Sequence, residues 1–494
     1  MTEQEFNRRA QEGYNRIPLA LETFADLDTP LSIYLKLANA PNSYLLESVI
    51  GGERFGRYSF IGLPAAIWMR TRGFSTEVVR NGEILERNEG NPLDFLAAYQ
   101  ARFKVFIPAG FPRFCGGFAG YFGYDTVRYI EHKLARFDKP DDIGMPDILL
   151  LQTEELAVVD SLAGKIYLIV YVDPGVPGAF AHGQARLREL VRRLRGPVTI
   201  PESRPIAPTQ ELREFRKPDY LAAVRRSKEY ISAGDMMQVQ IGQRIKQPFT
   251  DSPLTLYRAL RSLNPSPYMY FYDFGEFQVV GASPEILVRQ EATPAGTAVT
   301  IRPLAGTRPR GATPEQDRKN AEELLADPKE IAEHVMLIDL ARNDIGRIAQ
   351  TGSVKVTEQL AIERYSHVMH IVSNVEGLLR PGLSSLDVLR ATFPAGTLTG
   401  APKVRAMEII DELEPIKRGL YGGACGYLSF QGDMDLAIAI RTGIVKDGML
   451  YVQAAAGIVA DSIPENEWQE TENKARALLR AAELVQAGLD ERGE

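Results

Sequence analysis

Residues 327–348 read DPKEIAEHVMLIDLARNDIGRI, a stretch that marks its own limits. Asp327 is a good N-cap, Pro328 suits the first helical position, where no amide partner is needed, and Glu330 stands at the third. The pattern predicts a helix from Pro328 to about Ile348, with Glu330 and Glu333 one turn apart on one face. A second acidic helix is predicted after Pro464. It sets Glu467, Glu470 and Lys474 on one face and Ala475, Leu478, Leu479 and Ala482 along an apolar stripe that must be buried.

Two helices that each present a carboxylate pair admit an ordinary reading, a solvated acidic surface. Carboxylates at this spacing repel one another weakly when exposed, and a hard cation between the helices would turn that repulsion to use. Mg²⁺ suits best, since few carboxylates and retained water satisfy it. A di-iron bundle needs four helices and Glu-x-x-His pairs, whereas His334 is adjacent to Glu333 and points to another side.

Outward from these helices lie short segments of strand character. Residues 44–172 hold alternating or β-branched runs, among them Arg57 to Ile61, Phe118 to Tyr124, Ala157 to Val159 and Ile166 to Val172, punctuated by Gly and Pro. Further on, a helix is predicted over Asp219 to Ala233, and MQVQIGQRI follows it as a strand. The runs QVVGAS, GACGYLSF, AIAIRTGIV and MLYVQAAAGIV then alternate with long helices. With no fixed-period repeat, the expectation is an α+β fold, sandwich-like, of large antiparallel sheets flanked by helices. Five prolines between Gly196 and Pro218 predict a linker at 196–217, separating regions 1–195 and 218–494.

The totals exclude several classes. A chain of 494 residues, 45% hydrophobic and 24% charged, has the composition of a globular protein with a large core. Its net charge of −7 gives no general attraction to nucleic acid or anionic lipid, so an anionic ligand must meet local positive groups or a metal. Cys115 and Cys425 lie in apolar, Gly-rich settings without a C-x-x-C spacing and read as buried reduced thiols. The first residues lack a secretory signal, and no uncharged stretch approaches a membrane span, so a cytoplasmic protein is expected.

AEHVMLIDLARNDIGRI from Ala332, FPAGTLTGAPKVRAMEIIDELEP from Phe393 and GGACGYLSFQGDMDLAIAIRT from Gly422 together resemble the chorismate-utilising enzymes. These include the anthranilate, aminodeoxychorismate, isochorismate and salicylate synthases, and the resemblance covers roughly residues 40–485. It implies a sandwich-like fold with chorismate and Mg²⁺ in a deep cleft, the metal held by Glu333 and Glu470 with Glu330 and Glu467 nearby. It also implies that Gly306, Thr307, Tyr421, Arg441 and the backbone of Ala455, Ala456 and Gly457 contact chorismate. Arg441, which the AIAI run places at the end of a buried strand, would grip a carboxylate in a bidentate fork. Ala455 departs from the glycine that the resemblance leads one to expect. His370 matches the family's active-site histidine, suited to acid–base work as pyruvate leaves, while Thr397 and Lys474 match polar groups of the cleft. His367 would face the other side of the same strand. In GTLTGAPK, Pro402 precedes Lys403 and Val404 carries no hydroxyl, so no nucleotide loop is read there.

Two positions separate the branches. Aminodeoxychorismate synthases resemble one another in a P-I-K-G-T motif with a nucleophilic lysine, where this chain reads Pro303-Leu304-Ala305-Gly306-Thr307. Isochorismate and salicylate synthases place a water-activating lysine where this chain has Gln238. The resemblance therefore narrows to the anthranilate synthase branch, with ammonia as the nucleophile, anthranilate and pyruvate as products, and residues 218–494 as the chorismate-binding catalytic domain. Neither cysteine lies in a glutaminase motif, which implies a separate glutamine amidotransferase subunit and a hetero-oligomer. YLLESVIGGERFGRYSFIG from Tyr44 and NPSPYMYFYDF from Asn264 resemble the two segments of the tryptophan feedback site. On that resemblance Glu47 or Ser48 receives the ligand's amino group, and Pro267, Tyr268 and Met269 wall the indole. Two alternatives stay open: an aminodeoxyisochorismate synthase, which stops before pyruvate leaves, and a tryptophan-binding regulator without catalysis.

Overall fold

The computed structural model describes residues 1–48, 56–135, 139–201, 209–365 and 368–489. Among them the strands form two 12-stranded sheets, antiparallel at every pairing within them. The expected α+β sandwich of large antiparallel sheets is what the chain adopts.

Each sheet is built from both halves of the chain. In the first, Ser43–Glu47 pairs with Tyr268–Asp273, Leu45 lying opposite Phe271. In the second, Gly117–Phe122 pairs with Ala424–Ser429, Gly120 lying opposite Gly426. Strands from either side of the 196–217 segment thus share both sheets, and Leu212–Arg213 already pairs with Ile245 and Lys246.

The layer between the sheets is aromatic: Tyr44, Phe60, Phe114, Tyr121, Tyr270, Tyr272 and Tyr427 share one buried cluster. Burying each such ring contributes roughly 1.5–3 kcal/mol, more where rings meet as Phe114 and Tyr427 do, with centroids 4.2 Å apart. The outer faces carry helices. Leu478, Leu479 and Ala482 of the C-terminal helix lie in one outer core with Leu254 and Leu260, and Ile338, Ala341 and Ile345 of the first acidic helix lie in the other with Leu389.

The two acidic helices run as Pro328–Gly346 and Pro464–Gln486. Asp327 caps the first, its carboxylate accepting from the amides of Lys329 and Glu330. The helix predicted over Asp219 to Ala233 runs Lys217–Ser232, and the strand after it Gln238–Pro248.

One reading changes. AIAIRTGIV is not a single strand: Met434–Ile438 belongs to the second sheet and Thr442–Lys446 to the first. Ala439, Ile440 and Arg441 carry the chain from one sheet to the other, and Arg441 adopts φ +50°. The uniform apolarity of the run conceals the break, because both strands it joins are buried.

Candidate active site

A cavity of about 660 Å³, of the size that takes a small organic ligand, lies among these elements. Its walls come from both acidic helices and from the strands Gln238–Pro248, Leu304–Pro309, Val368–Leu378 and Met449–Ile458. Gly306, Thr307, Glu330, Glu333, His370, Thr397, Tyr421, Arg441, Ala455, Gly457, Glu467, Glu470 and Lys474 all line it. Residues more than 160 positions apart in the chain are thereby brought together.

Ala456 alone of that set faces away. Alternate residues of a strand point to opposite sides, and the Ala456 side chain is buried in the core cluster of Ile241 and Trp468. At its neighbour Gly457 a Cβ would stand 2.6 Å from Gln238 Nε2 and would displace that amide. Ala455 fits without strain opposite Gly242, and its carbonyl accepts from Lys474 Nζ at 2.9 Å.

The cavity's charges are unevenly matched. Lys474 Nζ also reaches Glu470 Oε1 at 2.7 Å. Among the described residues Glu333 accepts only from the neutral Gln238, Nε2 to Oε1 at 3.2 Å. Burial raises the Glu333 proton affinity, with Glu330 and Glu470 adding repulsion, and burial raises that of Glu467. Arg308 holds Glu330 at 3.1 Å. Across the cavity, no hydrogen bond or ion pair engages the Arg441 guanidinium among the described residues, and burial lowers its pKa. A desolvated guanidinium without a carboxylate partner is costly unless an anion is expected there.

These carboxylates supply the oxygen donors a hard cation takes. Among the described residues no three His, Cys, Asp or Glu side chains cluster closely enough to hold a metal unaided. Mg²⁺ does not require that, because it keeps water and accepts substrate oxygens alongside one or two carboxylates. The half-buried Glu333, repelled by Glu330 and Glu470, is the feature that fits such an ion. His334 takes no part: it is fully buried, with Nε2 2.8 Å from Ser373 Oγ.

Two groups are prepared for proton transfer. His370 Nδ1 lies 2.8 Å from the Gly306 carbonyl, which can only accept, so the proton sits on Nδ1 and Nε2 keeps its lone pair. Burial lowers the His370 pKa, leaving the ring neutral at pH 7. The second group, Glu285, is one that reading the sequence missed. Burial pushes its carboxyl up to about 8, against the pull of Thr397 and Lys474. It lines the cavity as a neutral acid, beside a Thr397 hydroxyl that is buried and lacks an aligned hydrogen-bond partner. Its only sequence signal is a single carboxylate between the apolar runs QVVGASP and ILV. Ala305 is buried and, as an alanine, offers no nucleophile.

A second cavity, about 50 Å³, is lined by Glu47, Ser48, Pro267, Tyr268 and Met269 together. The Glu47 carboxylate turns away from it, accepting from Tyr257 Oη and Arg261 Nε at 2.6 Å each. On the other wall, Asp435 is shared by Arg113 at 3.2 Å and Arg289 at 2.9 Å. Residues 49–55 of the first segment, and His367, lie outside the described residues.

A sandwich of two antiparallel sheets around a carboxylate-lined cleft with a waiting guanidinium defines an enzyme site for a small anion. The family model of chorismate binding enzymes matches residues 62–480. The chain is 58% identical over 493 residues to anthranilate synthase component 1 of Neisseria meningitidis serogroup A, covering 99% of this chain and 100% of that one. To the protein of the same name from Pseudomonas putida it is 57% identical over 492 residues, covering 98% and 99%. The crystal structure of anthranilate synthase component I from Streptococcus pneumoniae superposes with a TM-score of 0.76 at 38% identity, covering 92% of this chain and 98% of that one. The chain belongs to the chorismate binding enzymes, in the branch of anthranilate synthase component 1.

Proposed function

We propose that the chain converts chorismate and ammonia into anthranilate, pyruvate and water. The observation that carries this is the pairing, in one cavity, of a free Arg441 guanidinium with the neutral acid Glu285 and the neutral base His370. Arg441 holds a substrate carboxylate in a two-pronged grip that lysine reproduces poorly. The backbone at Gly306 and Gly457 lets the ring approach closely. Ammonia adds at C2 of the ring while Glu285 gives its proton to the C4 hydroxyl, which leaves as water. His370 Nε2 then takes the C2 proton as the bond between ring C3 and the ether oxygen breaks, the ring becomes aromatic, and the departing enolpyruvate gains a proton at its methylene carbon to leave as pyruvate. The nucleophile comes from outside the chain, since Ala305 and Gln238 supply neither an amine nor a base.

Mg²⁺ is the proposed cofactor, held by Glu333 and Glu470 with Glu330 and Glu467 close by; when bound it neutralises the ring carboxylate and draws electron density from the reacting ring. Ammonia is scarce at neutral pH and neither buried cysteine can act as a glutaminase nucleophile, so a glutamine amidotransferase subunit is the proposed partner. Free thiols suit a reducing cytoplasm.

The smaller cavity is the proposed tryptophan site, formed by region 1–195 against the strand Tyr268–Asp273. Pro267, Tyr268 and Met269 offer an apolar wall, the arginines Arg113 and Arg289 suit an α-carboxylate, and Glu47 or Ser48, both on the cavity wall, receives the amino group. A crevice of about 50 Å³ must widen to admit an indole.

Mass analysis of the products from chorismate, ammonium and Mg²⁺ tests the reaction. Anthranilate with an equivalent of pyruvate is expected. Accumulation of an amino adduct that retains the enolpyruvyl group would make the chain an aminodeoxyisochorismate synthase instead.

A further inference from the structure

Arg441 stands at a point where the backbone would not settle unaided. A residue with a bulky side chain rarely adopts positive φ, and such a conformation persists only where its surroundings fix it. On the upstream side, Ile438 donates to the Glu285 carbonyl at 3.0 Å, and Ser283 Oγ donates to the Ile438 carbonyl at 2.7 Å. The Arg441 carbonyl itself accepts from the Ala282 amide at 3.0 Å.

Downstream, the fixing is done by side chains. Thr442 Oγ1 lies 2.9 Å from the Ile440 carbonyl, which can only accept, so the threonine proton goes there. Tyr270 Oη, 2.5 Å from the same Oγ1, must then be the donor. Tyr270 is buried on the strand Tyr268–Asp273 and also forms part of the wall of the smaller cavity. Its own segment continues the connection: Asn264, Pro265 and Ser266 line the large cavity, and Pro267 to Tyr270 the small one.

We propose that Tyr270 and Thr442 are a positioning pair, which fixes the sheet-to-sheet crossing that aims Arg441 at the substrate carboxylate and ties that aim to the walls of the smaller cavity. This rests on the reading of Arg441 as the anchor of chorismate. Neither residue touches the substrate. Tyr270→Phe keeps the ring and its packing but removes the donor, and Thr442→Val keeps the shape but removes the hydroxyl that both partners share.

The test is the dissociation constant of chorismate, measured by calorimetry with Mg²⁺ and without ammonia. It therefore reads the grip of Arg441 whatever product the enzyme makes. Tyr270→Phe and Thr442→Val each weaken binding roughly three- to tenfold, the loss expected for one buried hydrogen bond. The double variant is no weaker than the worse single one, because both remove the same link. Thr442→Ser, which keeps the hydroxyl, binds like the wild type, and thermal unfolding of Tyr270→Phe and Thr442→Val near that of the wild type excludes a folding defect. Wild-type affinity in both single variants, additive losses in the double variant, or a Thr442→Ser defect equal to that of Thr442→Val would overturn the proposal. A wild type that binds chorismate normally yet forms no anthranilate would instead remove the functional reading and leave the positioning pair intact.

Discussion

Gln238 Nε2 donates to Glu333 Oε1 at 3.2 Å, a neutral donor on a half-buried carboxylate that two other carboxylates repel. Among the described residues no cation bonds to this carboxylate directly, which suits a site that receives one. Gln238→Lys would place an ammonium on Glu333 and compete with the metal. The Mg²⁺ concentration for half-maximal anthranilate formation should rise about tenfold or more, as for a buried charge gaining an opposite partner. An unchanged Mg²⁺ titration would take Glu333 out of the metal site.

Arg441→Lys keeps the charge and loses the fork. With one point contact in place of two parallel hydrogen bonds, KM for chorismate should rise roughly tenfold or more while kcat changes less. Equal loss in both parameters would mean that Arg441 acts in the chemical step rather than in binding.

Glu285 sets a pH dependence whose sign is fixed. The folded carboxyl keeps its proton up to about 8, while the unfolded chain releases it near the ordinary 4.5, so the folded state binds the extra proton between those values. Stability of the wild type should therefore decline as pH rises through that window, and Glu285→Gln should lack this decline. Turnover at fixed free ammonia should fall above about pH 8 as the acid is lost, and Glu285→Gln should cost roughly 10²–10⁴ in kcat. A variant with wild-type turnover would assign the proton donor elsewhere.

Ser48 lines the small cavity beside Pro267, Tyr268 and Met269. Ser48→Phe should fill the crevice, abolish inhibition by tryptophan and leave turnover near the wild type. Persistent inhibition would put the regulatory site in another part of the fold.

Much of this was legible in the sequence because local signals and function coincide. Asp327 and Pro328 mark the helix start, and helical spacing alone aligns Glu330 with Glu333 and Glu467 with Glu470 toward what became one cavity. The convergence of the two helices is tertiary and has no local signature. Three features were hidden for distinct reasons. The break at Arg441 is masked because both flanking strands are buried and equally apolar. The acidity of Glu285 comes from residues distant in the chain that desolvate it. The orientation of Glu47 is set by Tyr257 and Arg261, more than 200 positions away. The side chain of Ala456 turns to the core by strand alternation, which leaves the expected contact there to its backbone.

The most direct measurement is a fluorescence trace of the purified chain, without any partner subunit, given chorismate and ammonium and started by Mg²⁺. Anthranilate emission should rise only after the metal is added, stop on chelation, and be nearly absent in Glu470→Gln. A flat trace from the wild type under those conditions, or an equal trace from Glu470→Gln, would contradict the assignment of this cavity to Mg²⁺-dependent anthranilate formation.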